Sequence, residues 1–422
     1  MAQPPSPPVP GLLSRIAGHQ RFTPTVVVLL LAIHAGLLAY SATRHSPTML
    51  EPAQLAAGIS NWEFGRFELY RVNPPLVRMI AALPVMAAGC ETDWSGFYDS
   101  PGARPEFAVG SDFIAANGER SIWLFTLARW ACIPISLIGG LFCFVWAREL
   151  WGETSLRRTD LQSVPNQMQT SSPANEPSRA VTTANAAGLI ALFLWCFDPN
   201  ILAHAELINT DAAAATFGLG AAYTFWRWLR QPTWGRAGAA GLLLGLAQLS
   251  KMSWLFLFGL WPLLWLVVRV KGPGSRGTGD EIQPRSPPTL PYSTTPRLSQ
   301  LAAIFILALY LLNLGYGFDG TLSRLGDYTF VSETLSGTEP GEPGNRFTDT
   351  WLAPLPVPVP RQYLLGFDLQ KQDFEDFGQP SYLRGEWKDG GWWYYYLYGL
   401  AVKMPHGTQL LLLIVLGTIY SH

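Results

Sequence analysis

Charge is scarce in this sequence. Asp, Glu, Lys and Arg make up 14% of its 422 residues, against roughly 25% in an average soluble domain. The shortage is also uneven. No charged residue stands between Arg21 and Arg44, Asp211 and Arg227, Arg236 and Lys251, Lys251 and Arg269, or Arg297 and Asp319, nor after Lys403. Gaps of this kind exclude an ordinary soluble domain. A bilayer-crossing helix needs about 20 mostly apolar residues, and the shorter runs reach that length when flanking Arg or Lys side chains snorkel. Cysteine is rare too. Of Cys90, Cys132, Cys143 and Cys196, three lie inside apolar stretches, so no disulfide framework is expected. No basic stripe with interleaved aromatics is present, so nucleic acid is not an expected partner. The N-terminus is Pro-rich and polar. The apolar stretch after it, Thr23 to Tyr40, is too long for a signal-peptide core and lacks a small-residue cleavage site, which makes it a retained anchor.

What is present is apolar sequence, 49% of the chain, and aromatic residues, 13%. The runs predict an all-α polytopic membrane protein of about eight spans: 23–43, 122–147, 185–203, 211–228, 237–250, 252–270, 298–316 and 405–420. Pro199 makes the end of the third span irregular. Arg78 and Pro84 interrupt the apolar stretch 76–89, which reads as a helix lying at the membrane interface. Basic residues in short loops set orientation, and Arg227, Arg230 and Arg236 crowd one such loop. This places the N-terminus in the cytoplasm and the long loops 44–121 and 317–404 outside, in a multi-pass protein of the inner or plasma membrane.

The expected organisation follows. Residues 1–22 form a cytoplasmic tail; 23–152 hold the first span, the first outer loop and the second span. Residues 153–184 and 271–297 are cytoplasmic linkers, too rich in Ser, Pro, Thr and Gly to bury a core. Core spans occupy 185–270, and 298–422 hold a span, an aromatic outer loop and the last span. The last apolar run reaches Tyr420 with only Ser421 and His422 beyond it, so truncation at the C-terminus is an expectation. The run Trp392, Trp393, Tyr394, Tyr395, Tyr396 reads first as an interfacial aromatic belt and second as a stacking surface for sugar.

Ionisable residues at membrane depth are costly and usually functional. Four sit at or near span edges: Glu51, Arg129, Asp211 and Lys251. Each has a bland reading. Glu51 can be a solvated loop acid and Asp211 a residue favoured by a helix start; Arg129 can snorkel or pair with an acid, and Lys251 can anchor an interface. The sharper reading puts two carboxylates and two cations at one membrane face. Sugar transfer from a lipid phosphate needs a carboxylate to take a proton from the incoming group. It also needs fixed positive charge for the departing phosphate. An acid held near apolar surface would have its proton affinity raised. His204 and Glu206 precede Asp211 closely; a His beside two acids can bind metal, though a lone His usually does not.

The ordered stretches LEPAQLAAGISNWEFGRFELYRVNPPLVRMIAALP, LARWACIPISLIGGLFCFVWARELWG, DPNILAHAELINTDAAAATFGLGAAYTFWRWL, GLLLGLAQLSKMSWLF and PSYLRGEWKDGGWWYYYLYGLAVKMPHG carry a resemblance. Together they resemble the lipid-carrier-dependent glycosyltransferases of the GT-C type, within them the family-39 group of protein O-mannosyltransferases and lipid A aminoarabinose transferases. The likeness spans most of residues 23–410, apart from the two linkers. It implies Glu51 and Asp211 as catalytic carboxylates and Arg129 and Lys251 as ligands of the donor phosphate. It also implies Asn73, Pro74 and Pro75 as a turn near the site, with His204 and Lys403 as accessory residues. The family often has Asp, or an Asp-Glu pair, where this chain has Leu50-Glu51, and His where it has Asn73. Some relatives bind a divalent metal near this turn and others need none, so the resemblance leaves the metal open. The implied partners are a polyprenyl-phosphate sugar donor, a protein, lipid or glycan acceptor, and membrane lipids. The implied reaction is a single inverting displacement. Two alternatives stand beside it: a transporter or flippase, against which the lack of an internal repeat counts, and a truncated, non-catalytic relative.

Overall fold

The computed structural model describes residues 22–162, 176–270, 296–376, 378 and 380–420. The tail 1–21 and the stretches 163–175 and 271–295, which hold the middle of the first expected linker and most of the second, lie outside them.

Helices make up most of the described chain. Helix α1 spans Phe22–Ser41. The first long loop then carries α2 (Glu51–Phe64), α3 (Leu76–Ala88) and α4 (Glu106–Asn117). Pro52 sits in the first turn of α2, where its missing N–H costs nothing, and Gly65 ends the helix in the left-handed region at φ 64°. Helix α5 (Arg120–Gln162) is the longest. Helix α6 (Glu176–Phe197) breaks at Asp198, whose side chain caps the short α7 (Pro199–His204) by accepting from the N–H groups of Asn200 and Ile201. Pro199 thus produces the expected irregularity. Helices α8 (Asp211–Arg230) and α9 (Trp234–Ser250) form a hairpin. A 3-10 turn over Met252–Phe256 leads into α10 (Leu257–Val270), and α11 spans Leu298–Gly315.

Among the described residues, four helical stretches are long and apolar enough to cross a membrane: Phe22–Ser41, Arg120–Gly152, Met252–Val270 and Leu298–Gly315. In the second long loop lie α12 (Glu333–Ser336), α13 (Arg361–Glu375) and a small hairpin, β1 (Ser381–Leu383) with β2 (Glu386–Lys388), paired antiparallel. Helices α14 (Tyr395–Lys403) and α15 (His406–Tyr420) follow. They are bent by 106° and make a fifth candidate span if counted together. The all-α polytopic membrane fold therefore stands, while the other expected spans, 185–203, 211–228 and 237–250, are helices that fall short of the same length or hydropathy.

Packing centres on α5, which contacts α1, α3, α6 and α8, and on α9, which lies between α8 and α11. The largest core joins Leu55, Phe113, Phe125, Trp228, Trp261 and Ile304. Within it Phe225 and Trp261 stack at 4.0 Å. Small residues permit the closest crossings, as membrane helices require. A Cβ on Gly241 would meet the Ile304 carbonyl of α11 at 2.8 Å. Gly58 of α2 faces the Arg78 carbonyl of α3 with no space for a side chain.

Candidate functional site

The four singled-out charges resolve into two ion pairs. One is sealed in the protein and the other is open.

Glu51 begins α2, and Arg129 lies in α5 opposite the end of α1. Both side chains are buried. Arg129 Nε donates to Glu51 Oε1 at 2.9 Å and Nη2 to Oε2 at 2.7 Å. Its Nη1 donates to the carbonyls of Ala42 and His45, and Nη2 also to that of Ser46. A guanidinium has five N–H donors, so none is left for a phosphate. Ala42 O is an orphan carbonyl at the end of α1, where a cation is favoured. Glu51 also accepts from the N–H and hydroxyl of Thr48 and the N–H of Ile208. Burial alone would raise its pKa. The Arg129 bonds and the Thr48 and Ile208 donors outweigh burial, and the Glu51 carboxyl is held below its ordinary range. The expectation of raised proton affinity is thus reversed. Apolar surroundings set that expectation, and a bidentate partner 78 residues away in sequence overrides them.

The second pair is exposed. Lys251 Nζ donates to Asp211 Oδ1 at 2.7 Å, with side chains 38% and 52% accessible. Asp211 opens α8, and Lys251 stands in extended backbone between α9 and the 3-10 turn. Helix breaks therefore project both groups clear of the bundle.

One short segment links the pairs. In residues 206–211, Ile208 N–H reaches Glu51, the Thr210 hydroxyl reaches Asn73 Oδ1 at 3.4 Å, and Asp211 reaches Lys251. Asn73 thus lies beside Asp211, with Pro74 and Pro75 leading into α3. His204 is exposed and its Nδ1 contacts Asn209 at 3.3 Å. Lys403 is brought to α7 through its backbone carbonyl, which accepts from Asn200 at 3.0 Å.

Three further buried groups take structural parts, of which only Glu206 has a functional reading in the sequence, as a candidate metal ligand beside His204. Glu206 is buried, and its Oε1 accepts from Ser41 and contacts His45 Nε2 at 2.7 Å. Arg78 is buried and clamps the turn before α3, donating to Asn61 Oδ1 and to the Tyr70 and Asn73 carbonyls. Arg71 bonds Gln362 and Asp99. The interruption of an apolar run marks Arg78 in the sequence and the nearby His204 and Asp211 mark Glu206; nothing local marks Arg71. Among the described residues no group of three or more His, Cys, Asp or Glu side chains is placed to hold a metal ion.

A family model described as dolichyl-phosphate-mannose-protein mannosyltransferase matches residues 178–278. The match supports a GT-C type glycosyltransferase. It runs from α6 through α10, under half of the chain, and contains Asp211 and Lys251 but not Glu51 or Arg129. No curated protein and no solved structure matches. At the coarse level the match supports mannosyltransferase-type chemistry with a lipid-linked donor in an integral membrane protein.

Proposed function

We propose that this protein transfers a sugar, of the mannose type, from a polyprenyl-phosphate donor to an acceptor at the non-cytoplasmic face of the membrane. The observation that carries the reading is the exposed Lys251–Asp211 pair, set at helix breaks inside the stretch that matches the mannosyltransferase family.

The donor phosphate engages the Lys251 ammonium and displaces Asp211 from it. A fixed cation at the departing phosphate stabilises charge where it develops. The freed Asp211 carboxylate takes the proton of the acceptor hydroxyl, whose oxygen bonds to the sugar's anomeric carbon. The bond from that carbon to the phosphate breaks, and its electron pair leaves with the polyprenyl phosphate. One displacement inverts the anomeric configuration. Asn73 helps hold the 206–211 segment through Thr210. Glu51 and Arg129 act as a buried strut that positions the segment through Ile208, rather than as base and phosphate ligand. The N-terminus faces the cytoplasm, as the Arg-rich loop 227–236 favours.

Mass spectrometry of glycosylated cell-envelope and protein products, in cells with and without the gene, tests this. A product lost with the gene and restored by the wild-type chain supports transfer. An unchanged product profile, with lipid-linked sugar still bound by the purified protein, favours a binding protein. Leu50 at the position where the family often has Asp, and the sealed Glu51, make that the second reading.

A further inference from the structure

A cavity of 210 Å³ lies between the two long loops, and neither ion pair is part of its lining. Its walls are residues 99–102 of the first loop and Thr329 and Val331 of the second, and its floor is α13, through Gln362, Leu365, Asp368 and Leu369. Arg71 and Arg361 complete it.

Most of its charged groups are held in place within the frame. Arg71 donates to Gln362 Oε1 at 2.8 Å, to the Ser100 carbonyl at 3.3 Å and to the Asp99 carboxylate. Asp368, buried, accepts from the N–H groups of Val331 and Ser332 and from the Ser332 hydroxyl. Arg361 lies over the Tyr328 ring and reaches the Asp327 carbonyl only at 3.4 Å, which leaves most of its donors for a ligand. A free anion would face Asp99 and Asp368, and a cation would face two guanidiniums. The set suits a neutral ligand that both donates and accepts. The remaining Arg361 donors and the Asp99 oxygen that Arg71 does not engage can meet hydroxyls, while Val331, Leu365 and Leu369 offer an apolar wall. The volume equals about seven waters' share of liquid, enough for one pyranose ring.

The frame of the cavity is linked to the open ion pair through packed neighbours. The Arg71 carbonyl packs on Gly366 of α13, which in turn touches Met252, the neighbour of Lys251. Two residues beyond Arg71, Asn73 meets Thr210 beside Asp211.

We infer that this cavity is a saccharide subsite, holding one neutral sugar ring of a glycan acceptor next to the Asp211–Lys251 pair. The acceptor is then a glycan rather than a bare polypeptide. Its link to catalysis rests on the transfer reading; the binding itself does not.

The test is saturation-transfer NMR on the full chain purified in detergent, with methyl α-D-mannopyranoside and methyl β-D-glucopyranoside as probes and inorganic phosphate as competitor. At least one glycoside is expected to give a signal. Thr329→Trp, which fills the cavity from an exposed position, abolishes it without changing the unfolding midpoint. Arg361→Met weakens binding by about tenfold, the loss of a charge-assisted bond. Asp211→Asn retains binding while losing transfer, which separates this inference from the transfer reading. Absence of any glycoside signal from folded wild type, a signal untouched by Thr329→Trp, or displacement by phosphate overturns the inference.

Discussion

Arg129 and Glu51 face each other through two hydrogen bonds, 2.9 and 2.7 Å long, both side chains sealed from solvent. The pair joins the end of α1, the start of α2, the first part of α5 and the segment leading to α8. It is the junction on which the first long loop is hung.

Removal of one member strands the other. Arg129→Met is expected to destabilise the protein by about 3–5 kcal/mol, because it leaves an uncompensated buried carboxylate. Thermal unfolding in detergent measures this. Arg129→Lys recovers only part of the loss, since an ammonium cannot reproduce the five-donor fork. Full recovery by Lys would contradict the geometry.

The same pair sets an acid limit. The folded-state pKa of Glu51 lies below its unfolded value. Its stabilising contribution is therefore complete above the unfolded pKa and is lost as pH falls through the folded one. The unfolding midpoint of wild type is expected to fall in that acid window. The wild-type advantage over Glu51→Gln should shrink there too.

The helices were largely legible in the sequence, and the pairings were not. Charge-free runs such as 22–43 and 298–318 announce helices because the bilayer tolerates little else. Arg129 looked available for a phosphate because its true partners, the carbonyls of Ala42, His45 and Ser46, are backbone groups at a helix end. No residue type advertises them. Glu51 looked like a base because position alone does not reveal a partner 78 residues away. Asp211 and Lys251 stand at helix ends, where the apolar runs beside them start or stop, and their contact across 40 residues is visible only in three dimensions.

Helix crossings give a third prediction. Gly241→Leu and Gly58→Val push side chains into the carbonyls of Ile304 and Arg78. Each is expected to cost about 1–3 kcal/mol, typical of overpacking, with reduced yield of folded protein by size-exclusion chromatography. Gly235→Ala, where nothing lies within 4 Å, is the control and should fold as wild type.

Lys251→Met should separate function from stability. An exposed ion pair contributes about 0–1 kcal/mol, so the unfolding midpoint should hardly move. Asp211→Asn should behave likewise. Both are expected to impair transfer, and adding the second to the first should cost little more, because the two groups act on one reaction.

The most direct measurement is conversion of polyprenyl-phosphate-linked mannose to polyprenyl phosphate, followed by mass spectrometry in membranes that contain the native acceptors. Wild type is compared with Lys251→Met at equal folded protein. A drop of about 10²–10³-fold, the usual effect of removing one group that stabilises developing charge, is the result expected if Lys251 receives the leaving phosphate. Conversion by Lys251→Met at the wild-type rate would contradict the account.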